Sequence, residues 1–498
     1  MHIVPRSDLK PNTLDYENQA LVTANGFREY DARWLFGKEI NLLGVQALGL
    51  GLGTFFHEAG IKPRVVTGHD YRSYSLSIKQ ALMLGLMNAG CEVVDIGLAM
   101  TPMAYYGQFA LDCPAVAMVT ASHNENGWTG VKMGAQKPLT FGPDEMGRLK
   151  QIVLGGEGKA RPGGSYAFVE DFRTQYIDAV TAGHKLSRPL KVVAACGNGT
   201  AGAFVIDVLK RIGAEVVPMD AELDFTFPKY NPNPEDLHML HAIADTVRAN
   251  KADIGLGFDG DGDRCGVVDN TGEEVFADKV GVLLARDLSS RIPNAQFVVD
   301  VKSTGIYLID PVLKKNNVKV DYWKTGHSYI KRRTAELKAV AGLEKSGHYF
   351  FNAPLGRGYD DASIAAIAVL EMLDHSGKTM SQMVASLPKT WSSPTMSPFC
   401  PDDKKYAVVD AVTGEYQGLK ARGEKVLGQN IVSIVTVNGV RVTLDDGTWC
   451  LVRASSNKPS LVVVVESPTS DANMHAIFSD LDGRLSKHPE VGEYDQKI

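Results

Sequence analysis

Leu190-Lys-Val-Val193, then Gly197-Asn-Gly-Thr200, then a helical stretch over 204–211, then Gly213-Ala-Glu-Val-Val-Pro218: this run decides the fold. Its short β-branched segments read as buried strands, its glycine-rich loop as a turn and its middle as a helix. Strand, polar loop, helix, strand is the βαβ unit of a parallel sheet. The same order occurs twice more. Arg64-Val-Val-Thr67 runs into Gly68-His-Asp-Tyr-Arg72, a helix reaches Leu86, and Asn88-Ala-Gly-Cys-Glu-Val-Val-Asp95 returns. Phe297-Val-Val-Asp300 runs into Val301-Lys-Ser-Thr-Gly305 and returns at Asn317-Val-Lys-Val-Asp321. The copies lie too far apart for a solenoid, so the pattern predicts three related α/β domains with mixed or parallel sheets.

The end of the chain is different. Asn430-Ile-Val-Ser-Ile-Val-Thr-Val437, Asn438-Gly439, Val440-Arg-Val-Thr-Leu444, Asp446-Gly447 and Thr448-Trp-Cys-Leu-Val-Arg453 read as successive hairpins. Asn-Gly and Asp-Gly predict two-residue type I′ turns. A strand over 461–465 and a helix over 474–485 complete an antiparallel α+β domain. The expected class is therefore α/β, with three α/β domains plus this C-terminal one around a central cleft. The segments are 1–169, 170–273, 274–387 and 388–498. A helix through Leu50 is expected before the first copy, and its glycines predict close packing.

At 498 residues the chain is too long for one core. Hydrophobic content of 44%, charged content of 22% and a net charge of -6 describe an ordinary globular protein. No basic run is interleaved with aromatics, which argues against nucleic acid, and no apolar run suits a bilayer. The six cysteines (Cys91, Cys113, Cys196, Cys265, Cys400, Cys450) form no CxxC, so free thiols and a cytoplasmic setting are expected.

The apolar run Ala252-Asp-Ile-Gly-Leu-Gly-Phe258 leads into Asp259-Gly-Asp-Gly-Asp-Arg264. Three carboxylates alternate with glycine, which lets the backbone turn all three to one point. Unpaired charges about 4 Å apart cost on the order of 4 kcal/mol at a surface-like dielectric. A hard divalent cation removes that cost, and an all-oxygen set suits Mg²⁺ or Ca²⁺. An EF-hand fits poorly because its loop needs Gly and Glu where this chain has Arg264 and Asn270. The reading is a Mg²⁺ site for phosphate chemistry, against the bland one of a solvated acidic turn. Upstream, Ala117-Met-Val-Thr-Ala-Ser122-His-Asn124 ends an apolar strand with a serine at the strand-to-loop transition. It is not a G-x-S-x-G elbow. Lys132, in Gly130-Val-Lys-Met-Gly134, is a candidate general base whose pKa burial is expected to lower.

Together these stretches resemble the α-D-phosphohexomutases, in particular their bacterial phosphomannomutase/phosphoglucomutase branch. The resemblance runs from about residue 27 to 467, with the motifs in the family's order. Thr120-Ala-Ser-His-Asn124 is similar to the phosphoserine loop, which implies that Ser122 is the phosphorylated residue. Asp259, Asp261 and Asp263 would then bind Mg²⁺ together with an oxygen carried by Ser122. Leu343-Glu-Lys-Ser-Gly-His348 resembles the sugar-recognition loop, which implicates Glu344 and Ser346. Arg453-Ala-Ser-Ser-Asn-Lys-Pro459 resembles the phosphate loop, with Arg453, Ser455, Ser456, Asn457 and Lys458 as donors. Tyr30-Asp-Ala-Arg33, Asp300-Val-Lys302 and Gly326-His-Ser328 match further segments, placing Tyr30 and Lys302 against substrate. Arg33, Arg264 and His327 then join Ser122 and Lys132 as catalytic candidates. The sequence departs from the family's usual pattern at Ala32, Trp34, Glu125 and the order of residues 455–458.

The resemblance implies reversible phosphoryl transfer between O1 and O6 of mannose and glucose phosphates. Its cofactors would be Mg²⁺ and a hexose 1,6-bisphosphate, and closure would come from a mobile last domain. The expected protein is a monomer or weak homodimer without nucleic-acid or membrane partners. Three rivals stand beside it: a phosphoglucosamine mutase, an aspartyl-nucleophile phosphatase using Asp259, and a non-catalytic Mg²⁺–sugar-phosphate binder. The phosphatase pattern D-x-D-x-[TV] has Asp263 at its fifth position here, which favours metal binding.

Overall fold

The structure is a computed structural model that describes residues 5–456 and 458–498. It divides into two compact units, residues 1–277 with 346–381, and residues 278–345 with 382–498.

The first unit holds two mixed sheets. The strands of one are β1 (Ala32–Leu35), β2 (Arg64–His69), β3 (Glu92–Leu98), β4 (Ala115–Val119), β5 (Trp128–Gly134) and β6 (Ser165–Phe168). Their spatial order is β1-β5-β4-β2-β3-β6. The β2, β3, β4 and β6 strands run parallel, while β5 returns antiparallel to β4 and β1 antiparallel to β5. The other sheet has β7 (Lys191–Ala195), β8 (Glu215–Met219), β9 (Ile254–Phe258), β10 (Cys265–Asp269) and β11 (Glu274–Val275) in the order β11-β10-β9-β7-β8. The two expected βαβ copies are β2–Ser75–Asn88–β3 and β7–Val205–Arg211–β8, and both return parallel. β4 and β9 are buried along their whole length, as unbroken apolar strands in a covered sheet must be.

The glycine-rich helix extends past Leu50, spanning Leu42–Glu58. Its glycines serve the predicted packing against helix Ser75–Asn88. A Cβ on Gly85 would lie 2.1 Å from the carbonyl oxygen of Gln46. Only hydrogen fits there, and the two backbones touch directly.

In the second unit, strand Gln296–Asp300 pairs parallel with Lys319–Trp323 and with Ala341–Leu343, which is the third βαβ copy. Its crossover is two short helices, Ile306–Ile309 and Pro311–Lys315, because Asp310 caps the second and Pro311 opens it. The last sheet is antiparallel: Ile431–Val435, Val440–Leu444, Trp449–Ala454, Leu461–Ser467 and Trp391–Ser392. Helix Asp471–Leu485 covers it together with Lys405–Arg422.

The expected type I′ turns are corrected. Gly439 and Gly447 have positive φ, but Asn438 and Asp446 do not, and a type I′ turn needs both central residues there. At 444–448, the Gly447 amide donates to the Leu444 carbonyl and the Leu444 amide to the Thr448 carbonyl. That is a three-residue loop closed by a left-handed glycine.

The last sheet is fastened to loop 301–305. Glu466 accepts from Thr304 Oγ1 (2.8 Å), the Gly305 amide (2.7 Å) and Trp449 Nε1 (2.9 Å). Arg441 donates to the carbonyls of Val301 and Ser303 and lies 3.6 Å from the Trp449 ring centroid. A last domain swinging alone would have to break these buried bonds. All six cysteines are free and buried. Among the described residues no helix is long and apolar enough to cross a membrane.

Replacing Gly85 with Ala is expected to cost about 1–3 kcal/mol of stability by overpacking. Urea unfolding followed by circular dichroism checks this, and an unchanged midpoint would contradict the close helix crossing.

Candidate active site

Parallel sheets present their functional loops at the carboxyl ends of their strands. β4 ends at Val119 and delivers Thr120-Ala-Ser-His-Asn124; β9 ends at Phe258 and delivers the aspartate loop. The loops meet. Ser122 Oγ lies 3.2 Å from Asp259 Oδ2, and Ser122 is 3% exposed. Gly260 permits the approach, since a Cβ there would stand 2.6 Å from the Ser122 carbonyl oxygen. Ser122 itself has φ 51°, the left-handed region that non-glycine residues avoid. A strained backbone at a reactive side chain persists only where surrounding contacts hold it.

The three aspartates are all buried. Asp259 Oδ1 accepts the amides of Asp263 (3.1 Å) and Arg264 (3.2 Å); Oδ2 accepts Arg264 Nε (3.0 Å) as well as Ser122. Asp261 Oδ2 takes three donors: Thr101 Oγ1 at 2.5 Å, Lys132 Nζ at 2.8 Å and Thr120 Oγ1 at 3.1 Å. Asp263 Oδ2 also pairs with Lys132. Asp261 Oδ1 and Asp263 Oδ1 are buried with no hydrogen-bond donor among the described residues. One oxygen from each aspartate lies within 4.8 Å of the others. Two orphaned carboxylate oxygens in an all-oxygen set fit a hard divalent cation.

The electrostatics agree. Burial and the neighbouring Asp261 charge push the Asp263 carboxyl up to about 7, against the pull of Lys132. Asp261 is held far below the usual carboxylate range, because Lys132 and Thr101 outweigh its burial. The expectation for Lys132 is reversed. Burial works to lower its pKa, but the charges of Asp261 and Asp263 override that and hold it well above the ordinary lysine value. It is a fixed cation in this arrangement, not a free base. His123 is driven well below its usual value by burial and by Arg264 and Arg33, so its Nδ1, 3.2 Å from Ser122 Oγ, belongs to a neutral ring.

β1 and β5 carry two further candidates beside the serine loop. Arg33 pairs across to Gly130, and Lys132 across to Met118. Arg33 bonds Asp31 (2.9 Å), the Ala121 carbonyl (3.2 Å) and Asn124 Oδ1 (2.8 Å). Tyr30 is buried just before β1. Arg264 Nη2 is buried without a hydrogen-bond partner among the described residues, a donor held in reserve. Ser346 belongs to the same unit, in the turn before strand Tyr349–Phe351.

The second unit carries the other candidates. Glu344 is buried, and its Oε1 already accepts the Gly326 amide at 2.6 Å. His327 is buried at the first position of helix His327–Glu336. Lys302 Nζ stands 3.9 Å from Asp300 Oδ2. Arg453 lies near the end of strand Trp449–Ala454, with Nη1 on the Ala454 carbonyl at 3.0 Å. The loop after it has Ser455 Oγ accepting the Lys458 amide at 3.2 Å, with Ser456 between them in the chain. Asn457 lies outside the described residues.

Sequence reasoning passed over several groups. Thr101, the first residue of helix Thr101–Ala110 after β3, holds Asp261. His348 Nδ1 lies 3.0 Å from Asp360 Oδ2 and 3.8 Å from Asp263 Oδ1. Lys405 donates to the carbonyls of Ser455 (2.6 Å) and Lys458 (3.2 Å), so it shapes the loop after Arg453 from a helix about 50 residues upstream. Polar side chains just past strand ends were the available signal for Thr101; Lys405 had none.

Four family profiles match the chain in order. They are phosphoglucomutase/phosphomannomutase alpha/beta/alpha domain I over residues 24–158, domain II over 174–272, domain III over 276–391 and the C-terminal domain over 400–483. The phosphomannomutase/phosphoglucomutase of Pseudomonas putida is 33% identical over 451 residues, covering 91% of this chain and 93% of that one. A phosphoglucomutase of Neisseria gonorrhoeae is 31% identical over 453 residues, covering 91% and 95%. The crystal structure of a phosphoglucomutase/phosphomannomutase family protein from Burkholderia thailandensis superposes with a TM-score of 0.83 at 29% identity, covering 94% of this chain and 98% of that one. With four domain profiles in register and relatives matched almost end to end, the chain belongs to the phosphoglucomutase/phosphomannomutase family.

Proposed function

We propose that this chain is a phosphohexomutase that moves a phosphoryl group between O1 and O6 of mannose and glucose phosphates through Ser122. The observation that carries the reading is Ser122 Oγ, 3.2 Å from Asp259 in a loop with two orphaned carboxylate oxygens.

In the forward step the bond between phosphorus and Ser122 Oγ breaks as a sugar hydroxyl oxygen bonds the same phosphorus. The hydroxyl proton leaves to a base, and the product is a hexose 1,6-bisphosphate. That bisphosphate turns over and returns its other phosphoryl group to Ser122. Asp259, Asp261 and Asp263 hold Mg²⁺, which when bound neutralises charge on the transferring group. Arg264 offers its unpaired Nη2 to a phosphoryl oxygen, and Arg33 keeps the serine loop in place. Lys132 keeps its proton and acts as a fixed positive charge. His327, buried at the first position of its helix, is then the group that takes the hydroxyl proton. Lys302, Glu344 and Ser346 recognise the sugar. Arg453 with Ser455, Ser456, Asn457 and Lys458 holds the phosphate that is not reacting.

The aspartyl-nucleophile rival loses ground. Its pattern has Thr or Val at the fifth position, where this chain has Asp263, one of the three clustered carboxylates, and the hydroxyl of Ser122 stands beside Asp259 as the alternative nucleophile. Discrimination among mannose, glucose and glucosamine phosphates falls to Glu344 and Ser346.

Ser122→Ala is expected to lower interconversion of glucose 1- and 6-phosphate by at least about 10³-fold while the circular dichroism spectrum is kept. Full mutase activity in that variant would end the assignment. The raised Asp263 pKa yields a second expectation. A metal ligand must be deprotonated, so Mg²⁺ affinity should fall as pH drops below about 7. Calorimetric titration with MgCl₂ across pH 6–8 measures this; an affinity flat over that range would contradict it.

A further inference from the structure

We propose that the buried Asp70–Arg72 pair is a positioning unit that holds Ser122 in its left-handed conformation and thereby sets the rate of phosphoryl transfer. The inference rests on the reading of Ser122 as the phosphoryl carrier.

Both residues come from the loop after β2, the neighbour of β4, and are 1% and 4% exposed. They pair through Arg72 Nη1 and Asp70 Oδ2. Asp70 Oδ1 also accepts the Arg72 amide and Ser75 Oγ, and the other side-chain hydrogen bonds of the pair go to the serine loop. Arg72 Nη2 donates to the Ser122 carbonyl at 2.9 Å and the Asn124 carbonyl at 2.6 Å. Asp70 Oδ2 accepts the Ala121 amide at 3.2 Å. Thr120 Oγ1 takes the Ser122 amide at 2.8 Å. The peptide groups on both sides of Ser122 Cα are thus held, which leaves its φ of 51° no room to relax.

The clamp is also tied to the aspartate loop. The Tyr71 amide donates to Thr200 Oγ1 at 3.0 Å, and the Thr200 amide donates to the Gly260 carbonyl at 3.0 Å. One chain of bonds therefore fixes the residue that offers Oγ and the loop that faces it. A buried ion pair is a poor source of stability, because desolvation offsets its attraction. Fixing a reacting atom is a use that repays it: a misplacement of about 1 Å costs roughly 10²-fold in rate. An arginine suits the task, because its planar guanidinium meets the carboxylate through one nitrogen and both carbonyls through another in a fixed geometry.

The test uses the full-length protein with Mg²⁺ and glucose 1,6-bisphosphate. Arg72→Lys keeps the charge beside Asp70 and loses the fork. It is expected to lower kcat about 100-fold with KM for glucose 1-phosphate within about threefold, and to slow phosphorylation of Ser122 in parallel by intact mass. A double variant, Asp70→Asn with Arg72→Met, removes both charges and so leaves no buried ion unpaired. It is expected to melt close to the wild type and remain equally slow. Overturning results are kcat within about threefold of wild type in Arg72→Lys, or full kcat in the double variant. A loss of kcat that merely follows loss of folded protein in both variants would also overturn the proposal. Failure of the wild type to take a phosphoryl group on Ser122 would instead remove the functional reading, and the mass measurement distinguishes the two.

Discussion

Three carboxylates share one buried site, and the surrounding unit answers their mutual repulsion. Lys132 bridges Asp261 and Asp263, Arg264 meets Asp259, and Thr101 and Thr120 crowd Asp261 Oδ2. These donors consume one side of the cluster and leave Asp261 Oδ1 and Asp263 Oδ1 bare. In a low dielectric, bare carboxylate oxygens are costly unless a cation or a proton meets them. The raised Asp263 pKa is the same statement in another form: without a divalent ion, a proton is the available answer.

The fold serves that site through its strand order. β4 and β9 are central, parallel-type strands whose carboxyl ends face loops, and β5 turns back beside β4 to bring Lys132 along. The antiparallel β1 adds Arg33 next to it. The mixed character of the sheet is therefore functional. A wholly parallel sheet would place the side chains of β5 and β1 after a crossover, at the far end of a strand, and not on its return path. Gly260 completes the arrangement by letting two backbones approach within a distance that no side chain tolerates.

The second unit shows the same economy with different parts. Glu466 and Arg441 stitch the antiparallel sheet to the loop that carries Lys302. Lys405 gathers the carbonyls of Ser455 and Lys458 and so fixes the loop after Arg453. Charged side chains here act on backbone groups, which fixes loop shape more firmly than surface ion pairs do.

Much of this was legible along the chain. Apolar runs with polar loops at their ends fixed the strands, and alternating aspartate and glycine announced a carboxylate cluster that could hold a cation, because both signals are local and depend on residue type and spacing. The hairpin turns were misassigned from Asn-Gly and Asp-Gly alone, since loop length is set by how the strands pair and not by the dipeptide. Lys132 was misjudged for a related reason. Its burial was readable, but its charge state depends on Asp261 and Asp263, some 130 residues away, and sequence spacing does not report that distance in space. Asp70, Arg72 and Lys405 were silent because each acts on a backbone group of a remote loop. The linear order of residues thus determined the secondary elements and the chemical kinds of group available. Only tertiary packing decided which carboxylate faces which cation and which serine is held in a strained turn, because Coulomb and hydrogen-bond energies depend on separation through space.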